Sequence, residues 1–382
     1  MGSRIEMSYG SDVISIDQFR DQATAWVEAN EEQAPYDYGP IVPLSQLDRA
    51  RSWQRHMHNE GYAGIHWAAE HGGRGLTGDH HRVFAEACQA AGIPSILNMV
   101  GLVLAAGALR LFGTPEQQRD HLPPTVTGER VWCQLFSEPE AGSDLAGLRT
   151  RAELDGDEWV VNGQKVWTST GTHSDWAILM ARTEPDASKH AGISFFVLDM
   201  ATPGIEARPL RNMAGTAEFA EVFLEDVRLP FDALLGDRGQ GWTVAMSVLA
   251  SERGHGTGAA RALERRIDGA VAHAQEHDLD AVSRDQLVRL WIEGQSYLSM
   301  ARQTSHGGPR SSLGKLALAD YRFDLAEFAV NVEGPEGMLA TRTSQGLVAA
   351  PGGWFGGGTT QVQRNIIGER VLGLPKEPKP NA

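Results

Sequence analysis

The sequence predicts an α+β fold in which a helical first region and a helical last region enclose a block of strands. Three observations predict it. Apolar residues recur at helical spacing toward both ends, the stretch between them is rich in β-branched and aromatic residues punctuated by turn residues, and helices and strands do not alternate. The last point argues against a doubly wound parallel sheet. A chain of 382 residues is too long for one ordinary core and should hold two or three domains, at about 100 to 200 residues each. The expected division is an N-terminal α-helical domain over 12–130, a β domain over 131–236 and a C-terminal α-helical bundle over 237–375.

The elements justify this in order. "IDQFRDQATAWVEAN" places Phe19, Ala23, Trp26 and Val27 on one helical face, and "LSQLDRARSWQRHMHNEG" ends on a C-cap glycine. "GTPEQQRDHLPPTVTGE" reads as a short helix opened by Thr114 and Pro115 and closed by Pro123 and Pro124. After Arg130 the texture changes. "EWVVNGQKVWTS" sets Asn162-Gly163 between two β-rich runs, which predicts a type I′ hairpin, and "WAILMAR", "ISFFVLDM" and "AEVFLEDVRLP" follow as strands. From Trp242 to about Leu372 the helical period returns, interrupted by glycine-rich loops.

Composition narrows the function. With 41% hydrophobic and 22% charged residues the chain is an ordinary globular protein. A net charge of -15 without a basic block argues against nucleic-acid and anionic-membrane partners, while leaving room for a local basic pocket. No apolar run approaches the roughly 18 residues of a membrane span. The opening "MGSRIEMSYGSD" lacks the apolar core of a signal peptide, so a cytoplasmic protein with a disordered first ten or so residues is expected. The two cysteines, Cys88 and Cys133, are too few for a disulfide framework and read as reduced thiols. The histidines fall in no metal-ligand spacing, so no metal site is expected.

The glycine clusters match no nucleotide fingerprint: "HGGRGLTG" follows no strand, and no Walker sequence occurs. "QLFSEPEAGSDLAGLRTRAELDGDEWVVNGQKVWTSTG", residues 134–171, is more informative. It offers hydroxyls at Ser137, Ser143 and Ser169 and an indole at Trp167, a set that suits a planar heterocycle with a phosphate tail. The alternative is a β domain whose tryptophan is simply core. Near the C-terminus, "GGWFGGGTTQVQRNIIGERVLGLP" joins five glycines to Thr-Thr-Gln with no ionisable side chain before Arg364, so backbone lies close to a ligand while the chemistry must come from elsewhere.

With those motifs in view, the chain resembles the acyl-CoA dehydrogenase family, flavoproteins built from a helical domain, a β domain and a helical bundle. "SEPEAGSD" and "VNGQKVWTS" look like the two flavin motifs and "RNIIGERVLGLP" like the C-terminal helix, and the resemblance runs from about Ile16 to Pro375. It implies bound FAD, with Gln134, Leu135, Phe136 and Ser137 lining the flavin. Trp167, Thr168 and Ser169 would wall the isoalloxazine, Ser169 lying near N5, and Thr359 and Gln361 would be further FAD contacts. Ser143 would reach the cofactor phosphates or the CoA arm. The resemblance implies α,β-dehydrogenation of an acyl-CoA thioester, electrons passed to an electron-transfer flavoprotein, and an oligomer, either a homotetramer or a mixed one.

The family's common catalytic glutamate, which precedes the glycine of a Glu-Gly-Thr, is absent: "GGGTTQ" places Gly357 there, next to Gly358. Both glycines are then expected at the substrate. A second family position, in the helix used by isovaleryl-type members, is matched by "GWTVAMSVLASERG", where Glu252 falls. Val244, Val248 and Glu252 also share one face at i, i+4 and i+8, so an acid continues an apolar stripe. Such a carboxylate is paired, neutral or functional. An ion pair with Arg261 or Arg265 is the plain alternative to catalysis, and Arg253 either supports the CoA moiety or makes a surface salt bridge. The arginine-phenylalanine-glycine signature that holds the flavin pyrophosphate in many members is missing. "SSLGKLALAD" and "VEGPEGML" look most like actinobacterial members, several of which act on bulky thioesters. Two rival functions keep the fold: a flavin monooxygenase or oxidase using O₂, and a non-catalytic subunit of a mixed tetramer.

Overall fold

The structure, a computed structural model, describes residues 14–39, 41–253, 256–303 and 311–376, without the side chains of 250–262, 301–303 and 311. The expectation for the first ten residues falls outside it. The chain divides into two compact units, one of residues 1–97 and 119–129, the other of 98–118 and 130–382.

The first unit is helical. Helix α1 (Ile16–Asn30) starts at a capping box, Ser15 Oγ accepting from the Gln18 amide at 3.2 Å while Gln18 Oε1 accepts from the Ser15 amide. Its buried face is Phe19, Ala23 and Val27, and it packs on α3 (Gly78–Ala90); α2 (Leu47–Asn59) lies between them in sequence. Trp26 closes the same face from its edge, against Tyr62 at 4.7 Å and Trp53 at 5.3 Å. The second unit begins with a π-helical segment (Val100–Ala105) and α4 (Ala106–Phe112), and α5 (Pro115–Val126) starts in it and ends in the first. Thr114 and Gln117 cap α5 reciprocally, but the helix does not close at Pro123 and Pro124; it runs through both. The two rings remove the N–H groups that would bond the Arg119 and Asp120 carbonyls. The helix is nevertheless carried on by Thr125 Oγ1 donating to the His121 carbonyl at 2.7 Å and the Thr127 amide to that of Pro123.

The second unit holds a seven-stranded sheet: β1 (Trp132–Leu135), β2 (Arg151–Asp155), β3 (Glu158–Ser169), β4 (Trp176–Arg182), β5 (Ile193–Asp199), β6 (Ile205–Leu210) and β7 (Phe219–Pro230). Their order is β1-β4-β2-β3-β7-β6, with β5 antiparallel on β4. Cys133, Leu135, Trp159, Val161, Leu179, Phe196, Val222 and Leu224 belong to its core. The hairpin expected at Asn162-Gly163 is not there, because β3 passes straight through. Gly163 is required by close packing: a Cβ on it would lie 2.7 Å from Thr150 Cβ and 2.8 Å from Thr150 Cα. Asn162 pairs across to Asp226 of β7, by two 3.0 Å hydrogen bonds. The real turn is Asp155-Gly156-Asp157, where Gly156 takes φ 67° between β2 and β3.

Helix α6 (Gly241–Arg253) follows, then a bundle of α7 (Gly256–Gln275), α8 (Ala281–Gln303) and α9 (Ser311–Glu333) around Ile267, Leu290, Leu298, Tyr321 and Phe328. Tyr321 donates to the Leu290 carbonyl at 2.7 Å, and Gly294 of α8 makes room for that ring. The short helices α10 (Arg342–Ala349), α11 (Gly352–Phe355) and α12 (Thr360–Ile366) pack on α9.

Candidate functional site

Two hydrogen bonds bring the two central motifs side by side. The Val166 amide donates to the Ser137 carbonyl at 2.9 Å, and Thr170 Oγ1 donates to the Trp132 carbonyl at 3.4 Å. The segment 132–137 therefore runs along the end of β3. Here the β3–β7 register breaks between Lys165 and Thr168, and in that bulge Trp167 takes φ 60° and is 56% exposed as a residue. A left-handed backbone costs a bulky L-residue about 1–2 kcal/mol. Bulges beside functional sites commonly re-aim a side chain, and this one turns the indole out of the sheet. Phe219 supports the indole edge-on, ring centroids 5.9 Å apart.

Around that indole, Gln134, Ser137 and Ser169 are half-buried, and among the described residues their side chains make no hydrogen bond. Leu135 and Phe136 are buried, Phe136 edge-on to Phe195 at 5.6 Å. Thr168 is fully buried with its hydroxyl unpartnered, and Ser143 is exposed in the loop after the Glu138–Ala141 turn. A flat exposed indole with free amide and hydroxyl groups beside it fits the edge of an isoalloxazine, whose ring needs an apolar wall and directed donors.

Helix α6 is placed by a close approach. Gly241 sits on β5, where a Cβ would be 2.7 Å from Ser194 Cα and carbonyl O, and Ser194 Oγ accepts from the Gly239 amide at 2.8 Å. Val244, Ala245 and Val248 are buried along the next two turns. Glu252 lies one turn beyond Val248 in the same helix. Its side chain, with those of Arg253 and Arg261, is outside the described residues. Arg265 is exposed on α7.

The glycine loop is seated on α9. Lys315 Nζ donates to the Gly353 carbonyl, Trp354 Nε1 donates to Asp320 at 2.8 Å, and Trp354 lies against Phe323. Gly357 takes φ 67°, and a Cβ there meets nothing within 4 Å, so a side chain at this position would enter open space. Gly358 takes φ 93° beside Gln363. Thr359 caps α12, its hydroxyl accepting from the Val362 amide at 3.2 Å, and Gln361 is exposed. Among the described residues the loop's hydrogen bonds run to α9 and α12, and none joins it to β1 or β3.

Three residues here escaped the reading of the sequence. Gln363 is buried and donates to the Gly357 carbonyl at 3.1 Å, setting the loop. Lys165 and Glu138 form a buried ion pair at 2.8 Å. Strand parity could have found the lysine, since it faces inward with Trp159 and Val161. Burial pushes the Lys165 amine down to about 8, against the opposing pull of Glu138. Burial pushes the Glu138 carboxyl up, but the Lys165 charge and the hydrogen bonds around it hold it below the ordinary carboxylate value. No cluster of metal-ligating side chains occurs among the described residues, and no helix among them is long and apolar enough to cross a membrane.

Models of the acyl-CoA dehydrogenase N-terminal, middle and C-terminal domains match residues 17–129, 133–227 and 239–372. Acyl-CoA dehydrogenase IpdE1 of Mycobacterium tuberculosis is 38% identical over 381 residues, covering 95% of this chain and 99% of the relative. The solved structure of the Tcur3481-Tcur3483 steroid ACAD superposes with a TM-score of 0.80 at 25% identity, over 96% of this chain and 99% of that one. The ChsE4-ChsE5 complex from Mycobacterium tuberculosis does so with a TM-score of 0.76 at 25% identity, over 98% and 100%.

Proposed function

The chain belongs to the acyl-CoA dehydrogenase family, with mycobacterial relatives, and from that premise we propose that it desaturates a bulky acyl-CoA thioester at Cα–Cβ using FAD and Glu252. The observation that carries the cofactor assignment is the exposed Trp167, held at φ 60° among three half-buried polar side chains without partners. FAD, when bound, supplies the acceptor for the hydride leaving Cβ. Gln134, Leu135, Phe136, Ser137, Trp167, Thr168 and Ser169 would hold its ring, Thr359 and Gln361 would meet it from the glycine loop, and Ser143 would reach its phosphates or the CoA arm.

The protein's own part is acid–base and positional. Glu252 removes the α-proton, and Arg253 steadies the base or the CoA moiety. Backbone N–H groups of the loop at Gly357 and Gly358 would donate to the thioester carbonyl, where negative charge develops as the proton leaves. A long acyl chain filling the site would exclude water and strengthen those contacts. The open space at Gly357 supports a wide acyl group, as does the steroid named for one structural relative.

In this reading 12–130, 131–236 and 237–375 act as three domains of a cytoplasmic enzyme that hands its electrons to an electron-transfer flavoprotein. Assembly is an oligomer, and the paired chain names of two solved relatives favour a mixed one over a homotetramer. The test is anaerobic bleaching of the flavin band by straight, branched and steroid-side-chain CoA thioesters, with oxygen uptake followed in parallel. Bleaching by a bulky thioester with slow reoxidation in air supports the proposal. A colourless protein that takes up no FAD, or rapid oxygen consumption, overturns it.

A further inference from the structure

We propose that Lys165 and Glu138 are positioning residues for the cofactor site, a buried clamp that fixes both the bulge presenting Trp167 and the segment presenting Phe136 and Ser137. The inference rests on the reading that these two segments wall a flavin.

Lys165 is fully buried, and all three of its N–H donors are used: to Glu138 Oε1 at 2.8 Å, to the Met180 carbonyl at 2.8 Å and to the Phe136 carbonyl at 3.1 Å. Glu138 is also buried, and it accepts further from backbone amides, Thr150 to Oε1 at 2.9 Å and Arg149 to Oε2 at 2.7 Å. One ion pair thus ties together the segment after β1, the end of β3, the middle of β4 and the approach to β2. As pure stabilisation this is a poor choice, since well-packed apolar residues commonly do as well in such a place. What the pair adds is direction.

Lys165 is the last residue of β3 in regular register with β7 before the break, and Thr168 is the first after it. Between them, Val166 turns its amide to the Ser137 carbonyl and Trp167 enters the left-handed region. A residue in that region persists only where its surroundings over-determine it. The lysine anchors the bulge from below, and the same ammonium group holds the Phe136 carbonyl one residue before Ser137. Both walls therefore share one anchor, and a change at Lys165 reaches the cofactor only through them.

The experiment titrates FAD into apo-protein by flavin fluorescence, for the parent chain, Lys165→Met, Glu138→Gln and a core control, Leu229→Ala of β7, with the thermal midpoint of each. The clamp variants should bind FAD at least about tenfold more weakly and blur the fine structure of the bound flavin's visible band. The control should lose thermal stability yet keep its affinity within about twofold. Clamp variants that match the parent in affinity and band shape, however much their midpoints fall, overturn the proposal. Should Lys165→Met fail to fold, Glu138→Gln carries the same comparison, because it changes no side-chain size. A parent chain that takes up no FAD refutes the proposed function itself, whereas a binding parent with unaffected variants refutes only the clamp.

Discussion

Gly241→Ala should shift α6, which carries the proposed base Glu252, relative to the sheet that carries Trp167. The added Cβ would stand 2.7 Å from both Cα and the carbonyl oxygen of Ser194, where carbon neighbours rest at about 3.5–4.0 Å, so something must give by roughly 1 Å. Strand β5 is the stiffer partner. Its Ser194 is hydrogen-bonded to Thr183 at 2.7 Å and to the Gly239 amide at 2.8 Å, and the strand is buried over six of its seven residues. Helix α6 is therefore expected to lift at its first turn. Overpacking of this kind costs about 1–3 kcal/mol, and a misplacement near 1 Å of a catalytic group costs about a hundredfold in rate. The assays are thermal unfolding and anaerobic stopped-flow reduction of the flavin by the best thioester. The expected result is a lowered midpoint, FAD retained and flavin reduction slowed by about two orders of magnitude. Gly269→Ala in α7, where a Cβ meets nothing within 4 Å, should instead be neutral or stabilising by about 0.5–1 kcal/mol. A Gly241→Ala protein with parental midpoint and rate would refute the reasoning from close approach.

Three further outcomes follow from the site. Gly163→Ala should destabilise by about 1–3 kcal/mol through its clash with Thr150, measured by denaturant unfolding; a neutral result would mean that β3 shifts away from Thr150 at no cost and that close packing does not require the glycine. Glu138→Gln should flatten the acid limb of the stability profile. A carboxylate held below its ordinary value contributes stability above about pH 4.5 that is lost as pH falls through the depressed folded value, so the parent should show the steeper decline in thermal midpoint. Gly357→Glu in a Glu252→Gln background should recover part of the flavin-reduction rate, because the side chain enters open space, at a strain of about 1–2 kcal/mol for its left-handed backbone. No recovery with FAD still bound would mean that the loop does not face the substrate carbon.

Much of this was legible where pattern and burial coincide. The face Phe19, Ala23 and Val27 and the stripe Val244 and Val248 are buried as their spacing requires, and "WAILMAR", "ISFFVLDM" and "AEVFLEDVRLP" coincide with β4, β5 and β7 to within a residue at either end. The two central motifs do lie side by side. The misreadings share one cause, a local preference overruled by tertiary contact. Asn162-Gly163 has turn chemistry, but its glycine serves Thr150 and its asparagine serves Asp226, while the less conspicuous Asp155-Gly156 makes the turn. Pro123 and Pro124 have stop chemistry, yet α5 continues through them. The Lys165–Glu138 clamp joins residues 27 apart in sequence, and no local pattern pairs them.

If Glu252 is the base that the glycine loop lacks, removing its basic oxygen must slow proton abstraction. Glu252→Gln keeps the size and hydrogen bonding of the side chain and removes only its basic oxygen. The decisive measurement is the anaerobic rate of flavin reduction by the best thioester, in parent and variant proteins with equal FAD content. The expected result is a fall of at least about a hundredfold, the lower range for loss of a general base, with FAD still bound. A Glu252→Gln protein that reduces its flavin at the parental rate would contradict it.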